Sequence, residues 1–269
     1  MFSSLLRSAV LATIAVGATV AQADPFANTP ASVTGALYWD GASVASGYQS
    51  VSVQFVKSGG GTGTYGPGGS AGQFKGYFDA ESDSALKDPS DFFRFFCIDL
   101  EHYAVQAERQ YTRILGLESA HAGDLNPLTI LYDLFYPPIS PRSALENFQD
   151  PNFGAFADST ESAAMQLAIW NIWYDNDFTL ATGDFMDKGS HGESVARANQ
   201  MLGAVQANLA GYTPTGQWTF YSFLNDQNQD YLSATYRRGS GDNGNVPLPG
   251  TLALLGIGLA GLGLARRKG

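Results

Sequence analysis

The sequence predicts an α+β domain, a β-rich sandwich or barrel with a helical insertion. Segments rich in β-branched and aromatic residues lie towards both ends of the chain, and segments with helical periodicity lie between them. This order favours one core built from a sheet and a helical layer. We expect one domain over residues 24–238, followed by a polar Gly/Asn/Asp linker over residues 239–245.

The first half of the domain reads as strands separated by turns. The predicted strands are Ser32–Asp40, Gln49–Lys57, Gln73–Phe78, Phe92–Leu100 and Tyr103–Leu115. Ser58–Gly72 carries eight glycines in fifteen residues, so we predict a mobile loop there. This loop has no Gly-x-x-x-x-Gly-Lys pattern, which argues against a phosphate cradle.

The middle of the chain changes to a helical period. Asn126 followed by Pro127 predicts the start of a short helix that ends at Phe135. Ser159 or Thr160 is expected to cap a strong helix that runs to about Asp175. The remaining predicted elements are a short strand at Phe178–Phe185, a helix at Glu193–Ala210, and closing strands at Gln217–Leu224 and Gln229–Arg238.

The helix over 160–175 has a glutamine on its apolar side. At 100° per residue, the face predicted to meet solvent holds Glu161, Ala164, Ala168, Asn171 and Asp175. Gln166 lies near the centre of the opposite face, with Trp170 and Trp173. An unpaired buried amide costs about 1–3 kcal/mol, so Gln166 needs either a hydrogen-bond partner in the core or a chemical role.

Both ends of the chain indicate export. Residues 1–23 read as a secretory signal, with Arg7 before an apolar run from Ala9 to Val20. Ala21 and Ala23 form an A-x-A cleavage site ahead of Asp24.

The C-terminal residues 246–269 have three parts. Val246, Pro247 and Pro249 precede an uncharged run, Thr251–Ala265, and Arg266, Arg267 and Lys268 follow it. Fifteen helical residues reach about 22 Å, short of the roughly 30 Å hydrocarbon core, which suits a temporary stop with its basic end in the cytoplasm. An ordinary membrane anchor is the alternative.

This tail resembles the PEP-CTERM sorting signal of Gram-negative bacteria, although Leu248 stands where that signal has Glu. The resemblance implies an exosortase-type membrane protease as a partner. It also implies export through the inner membrane, transient anchoring through a C-terminal transmembrane helix, and a final place at the cell surface or in an extracellular biofilm or exopolysaccharide matrix.

The charge of the exported region excludes a class of partner. The chain has 25 Asp and Glu against 15 Lys and Arg, and four of the basic residues (Arg7, Arg266, Arg267 and Lys268) lie in the two end segments. Phosphate backbones require basic clusters, so we expect no nucleic-acid partner.

Cys97 is the only cysteine, and it lies in an aromatic segment with Phe92, Phe93, Phe95 and Phe96. An exported protein with one cysteine cannot form an intrachain disulfide. A thiol that displaces ammonia from a glutamine leaves an internal thioester, which persists only where water is excluded. One thiol, one carboxamide and a dry aromatic surround meet that need, whereas the simpler interpretation is a small buried hydrophobe.

Two short blocks resemble the signatures of thioester domains from Gram-positive surface adhesins. They are Phe96-Cys97-Ile98-Asp99 and Gln166-Leu167-Ala168-Ile169-Trp170, although Met165 stands where the adhesins have Thr. The resemblance implies a Cys97–Gln166 bond, with Phe95, Phe96, Trp170 and Trp173 around it, that captures an amine-bearing target. Asn228–Leu232 corresponds to a later, less specific block.

Other chemistries find little support in the sequence. The three histidines do not share a metal-ligand spacing and no hydrolase motif is present, so we expect no metal, no cofactor and no enzyme. Besides covalent adhesion, the sequence leaves open a non-catalytic structural or polysaccharide-contacting component of an extracellular matrix.

Overall fold

The computed structural model describes residues 32–39, 47–79, 93–105, 107–137, 155–156, 158–213 and 218–236. The predicted signal peptide (1–23), linker (239–245) and sorting segment (246–269) lie outside the described residues. Within the described ranges, no helix is both long and apolar enough to cross a membrane.

The described part of the chain is β-rich, with a closed six-stranded barrel and a few helices. In chain order the strands are β1 (Ser32–Trp39), β2 (Gln49–Val56), β3 (Thr62–Ala71), β4 (Phe74–Asp79), β5 (Phe93–Cys97), β6 (Arg109–Leu115), β7 (Phe185–Asp187), β8 (Trp218–Leu224) and β9 (Tyr231–Tyr236). The barrel order is β1-β4-β5-β9-β8-β6, closed by β6 on β1, and a second sheet has the order β3-β2-β7.

The barrel register sets the geometry around Cys97. On one side of β5 the pairing with β4 stops at Phe74 opposite Phe95. On the other side β9 continues further, with Tyr231 opposite Cys97. The last residue of β5 therefore has a strand neighbour on one side only.

The glycine-rich segment is a strand, and its prediction as a mobile loop is wrong. Residues of β3 pair with β2 in an antiparallel ladder that has an irregularity between Val51 and Val53. Glycine is required by close packing at Gly63, where a Cβ would lie 2.5 Å from the ring of Phe55. Tertiary packing thus overrides the low β-propensity of the glycines in β3.

Three α-helices occur in the described ranges: α1 (Leu125–Phe135), α2 (Ser159–Tyr174) and α3 (Gly192–Asn208). The cap of α2 is Asp158, whose Oδ1 accepts from the Glu161 N–H at 2.9 Å, so the predicted caps Ser159 and Thr160 are wrong. The predicted strand at Phe178–Phe185 is also misplaced, because β7 only begins at Phe185.

Helix α2 lies in the middle of the molecule rather than at its surface. It packs against α3 on one side and against β2, β3 and β5 on the others. Ala164, Ala168 and Asn171, which were predicted to meet solvent, are fully buried. A helix enclosed on all sides loses the polar stripe on which the face prediction depended.

Candidate functional site

Cys97 is a buried free thiol at the end of β5. The Ile98 N–H donates to Asp230 O at 3.0 Å on the β9 side. Because peptide groups alternate along a strand, the N–H and C=O of Cys97 turn to the opposite side, where β4 has already ended. Both polar groups therefore need another partner.

Gln166 is that partner. Its Oε1 accepts from the Cys97 N–H at 3.0 Å, and its Nε2 donates to Cys97 O at 2.8 Å. The side-chain amide thus acts as a missing strand residue and binds the end of β5 to α2. Gln166 is fully buried, as its helical position predicted. Its carboxamide is directed at the Cys97 backbone.

The Cys97 thiol is directed at a different carboxamide. Its Sγ donates to Gln229 Oε1 at 2.9 Å, while Gln229 Nε2 donates to Asp99 O at 2.7 Å. Gln229 is 1% exposed. It precedes Tyr231 by two residues, so alternation puts it on the face of the ladder that carries Tyr231 and Cys97. The Cys97–Gln166 bond stays a prediction, and the contact geometry favours Gln229.

The aromatic residues that were predicted to enclose the thioester belong to separate clusters. Phe95 lies in the barrel cluster, stacked on Phe74 and in edge contact with Tyr231. Phe96 contacts Phe156 instead. Tyr231 of the Asn228–Leu232 block contacts Tyr111, which the sequence did not single out, and Tyr111 Oη donates to Gln229 O at 3.1 Å.

The two tryptophans of α2 have separate environments. Trp170 is fully buried and makes an edge contact with Tyr65, whose pKa is raised to about 12 by burial and by the nearby Cys97. Trp173 stacks on His121 with ring centroids 3.7 Å apart, at the wall of a cavity. Trp170 therefore lies in the buried part of the molecule beside Tyr65, and Trp173 lies at the cavity.

Burial controls the state of the thiol. Desolvation, with the charge of Asp99 as a smaller cause, raises the pKa of Cys97 well above its ordinary value. The sulfur is therefore protonated at neutral pH and is a poor nucleophile towards reagents in solution. Any reaction of this thiol depends on a partner held against it.

A cavity of about 340 Å³ adjoins the Cys97–Gln229 contact. Asp99 links the two, because its backbone oxygen accepts from Gln229 Nε2 and the residue lines the cavity, whereas Cys97 and Gln229 lie behind the lining. Within the cavity, Asp99 Oδ2 lies 2.6 Å from His102 Nδ1, and this hydrogen bond raises the pKa of His102. Burial, together with the charges of Asp99 and Glu118, raises the pKa of Asp230 to about 7.

The C-terminal residues match a known protein-sorting motif. Residues 245–268 match the profile of the PEP-CTERM protein-sorting motif. The chain carries a PEP-CTERM motif. This match includes the predicted sorting residues Val246, Pro247, Pro249, Arg266 and Arg267, and it confirms the resemblance of the tail.

No curated protein matches the chain. Among solved structures, the N-terminal domain of the Streptococcus pyogenes pilus tip adhesin Cpa is similar at 13% identity. The match covers 78% of this chain and 97% of that chain, with a TM-score of 0.34.

Proposed function

We propose that this PEP-CTERM protein adheres covalently to an amine-bearing target through an internal thioester between Cys97 and Gln229. The PEP-CTERM motif indicates an exported protein that is sorted by an exosortase. The adhesive function is supported by the 2.9 Å contact between Cys97 Sγ and Gln229 Oε1 in a buried site.

Bond formation follows from this contact. The sulfur attacks Gln229 Cδ while the S–H proton passes to Oε1, to which it is already hydrogen-bonded. The resulting tetrahedral carbon carries sulfur, hydroxyl and amine. When the C–N bond breaks, the nitrogen leaves as ammonia with the hydroxyl proton, and the thioester carbonyl is restored. No oxidant or cofactor is consumed.

Gln166 has a positioning role in this scheme. By holding both backbone groups of Cys97, it fixes the end of β5 and with it the direction of the thiol. A reaction between two groups held in contact gains the rate advantage of an intramolecular step. Burial of both partners keeps water away from the thioester once it has formed.

The thioester is used once per molecule. A primary amine attacks Gln229 Cδ, the C–S bond breaks, and Cys97 is released as a thiol while the target becomes an amide of Gln229. Since the thioester is consumed, the protein is a stoichiometric adhesin and not an enzyme. Its place would be the surface or the biofilm or exopolysaccharide matrix of a Gram-negative bacterium, after release from the inner membrane.

The test is the intact mass of the full chain purified under mild conditions from exporting cells. Wild type should be lighter than its sequence by one ammonia relative to Cys97→Ala prepared in the same way, which also cancels any processing at the ends. Gln229→Ala should likewise show its full mass. Equal deficits in wild type and Cys97→Ala would overturn the thioester, and a purely structural matrix component would then be favoured.

A further inference from the structure

We infer that the cavity beside Asp99 is the binding site for the ammonium group of the attacking amine, and that it selects alkyl amines over amines that also carry a carboxylate. This inference rests on the proposed thioester and identifies the chemistry of its target. The target group is a lysine-like side chain, a primary amine on an apolar stem.

The cavity lies beside the place where the leaving nitrogen is held. Gln229 Nε2, the nitrogen that leaves as ammonia, donates to Asp99 O at 2.7 Å. Aminolysis is the reverse of that departure with a different nitrogen, so the incoming amine takes the same place beside Asp99. Asp99 and Asp230, the residue that follows Gln229, both line the cavity, so an amine in the cavity lies next to that place.

The walls of the cavity hold more carboxylates than cationic groups. The carboxylates that line the cavity are Asp99, Glu101, Glu118 and Asp230, and the cationic or titratable bases are Lys57, His102 and His121. Asp99 is paired with His102, and Glu101 Oε1 accepts from the Ser58 N–H at 2.7 Å. Within the described ranges, Glu118 and Asp230 form no salt bridge.

These two carboxylates are suited to an ammonium ion. Burial and the neighbouring charges of Asp99 and Glu118 disfavour the ionised form of Asp230 and raise its pKa, and the charge of His102 offsets them only in part. A bound cation supplies the missing charge, whereas an anionic group is repelled by the same walls. The alkyl chain of the amine can pack against Ile98, Trp173 and Tyr174, which also line the cavity.

The reaction balances with these groups. The ammonium gives its proton to solvent or to a wall carboxylate, and the free amine attacks Gln229 Cδ. The C–N bond forms as the C–S bond breaks, and the second amine proton passes to the leaving sulfur. The products are a secondary amide at Gln229 and the neutral Cys97 thiol.

The experiment compares two amines of the same chain length, n-propylamine and β-alanine, on the full chain by intact mass. The rate ratio of propylamine to β-alanine adducts is measured for wild type and for the double variant E118Q/D230N. We expect the ratio to fall about tenfold in the double variant, equivalent to about 1.4 kcal/mol. The amide in D230N keeps the Oδ1 that accepts from the Asn225 N–H.

The control variant is D226N. It removes one carboxylate from the exposed turn that precedes Gln229 and leaves the cavity intact, so its ratio should equal that of wild type. An unchanged ratio in the double variant, with both adducts still forming, overturns the ammonium site and leaves the thioester standing. The absence of any amine adduct in wild type overturns the thioester, and the ammonium site with it.

Discussion

Two buried glutamines meet Cys97 from different parts of the molecule, and they do so in different ways. Gln166 reaches it from the middle of helix α2 and binds its backbone N–H and C=O. Gln229 reaches it from the segment before β9 and accepts from its thiol. Residue type and burial are the same, so the direction of each carboxamide decides which one can exchange its nitrogen for sulfur.

The two glutamines also have different roles, since one stabilises the fold and the other takes part in the reaction. The bonds of Gln166 replace a strand neighbour where β4 has ended, and their loss would leave two buried peptide groups unpaired. Gln229 has one bond to the thiol and one to Asp99 O, so its amide nitrogen is held beside the cavity. One glutamine supports the site, and the other reacts in it.

The largest expected effect is on amine uptake. Gln229→Ala should reduce labelling of the full chain by a fluorescent primary amine to the background of Cys97→Ala, because no acyl donor remains at the thiol. Circular dichroism should show an unchanged fold. Labelling at the wild-type level in folded Gln229→Ala would exclude Gln229 as the donor.

The second effect is on stability. Gln166→Ala should lower the free energy of unfolding by about 3–5 kcal/mol, because it unpairs two buried backbone groups and opens a cavity. Urea denaturation of Gln166→Ala and Cys97→Ala measures it, since Cys97→Ala keeps the backbone partners. A loss below about 1 kcal/mol would mean that Gln166 does not hold the strand end.

The third effect depends on pH through Asp230. Burial raises its pKa from 3.8 to about 7 in the folded chain, so the folded state holds the proton more tightly than the unfolded state. The protonated carboxyl stabilises the fold fully below pH 4, and this contribution is lost as the pH rises through 7. Relative to Asp230→Asn, wild type should lose on the order of 4 kcal/mol over that range.

Thermal melts of wild type and Asp230→Asn at a series of pH values test this. The Tm difference should change in favour of the variant between about pH 4 and pH 7 and stay level above. Asp226→Asn, on the same turn but exposed, should follow wild type throughout. A constant difference between Asp230→Asn and wild type would mean that burial does not perturb this carboxyl.

The smallest effect concerns the start of the helix that carries Gln166. Asp158→Ala removes the side chain that accepts from the Glu161 N–H and should cost about 1 kcal/mol in urea denaturation. Because Gln166 lies two turns further along α2, the ammonia deficit in intact mass should persist. Loss of the deficit in a folded Asp158→Ala protein would show that the cap region also orients the site.

Sequence patterns predict the β-rich class, a strand through Cys97 and the burial of Gln166, because each depends on local periodicity or on one residue type. The end of that strand was predicted at Leu100, three residues too far. Such patterns fail where distant parts meet. The glycines of β3 read as a loop, yet Gly63 is there because the Phe55 ring lies over it. The buried Ala164 and Asn171 look like a surface face, but α2 packs against α3 and the Asn171 side chain donates to Asp177 Oδ1 and Thr179 O.

Local sequence patterns also fail to identify the glutamine that meets the Cys97 thiol. The helical period predicts that Gln166 is buried but not which atoms of Cys97 it meets. That depends on where β4 stops, which is a property of the barrel register. The signal for Gln229 was present in Asn228–Leu232, where a polar pair lies at the start of the strand predicted at Gln229–Arg238, but its importance appears only when β9 pairs with β5.

The most direct test of the central claim is to locate the residue that takes up an amine. The full chain is treated with methylamine, digested, and sequenced by tandem mass spectrometry, with Cys97→Ala as the control. We expect a methylamide on Gln229 in wild type, an unmodified Gln166, and neither residue modified in the control. A methylamide on Gln166, or none in wild type, would contradict it.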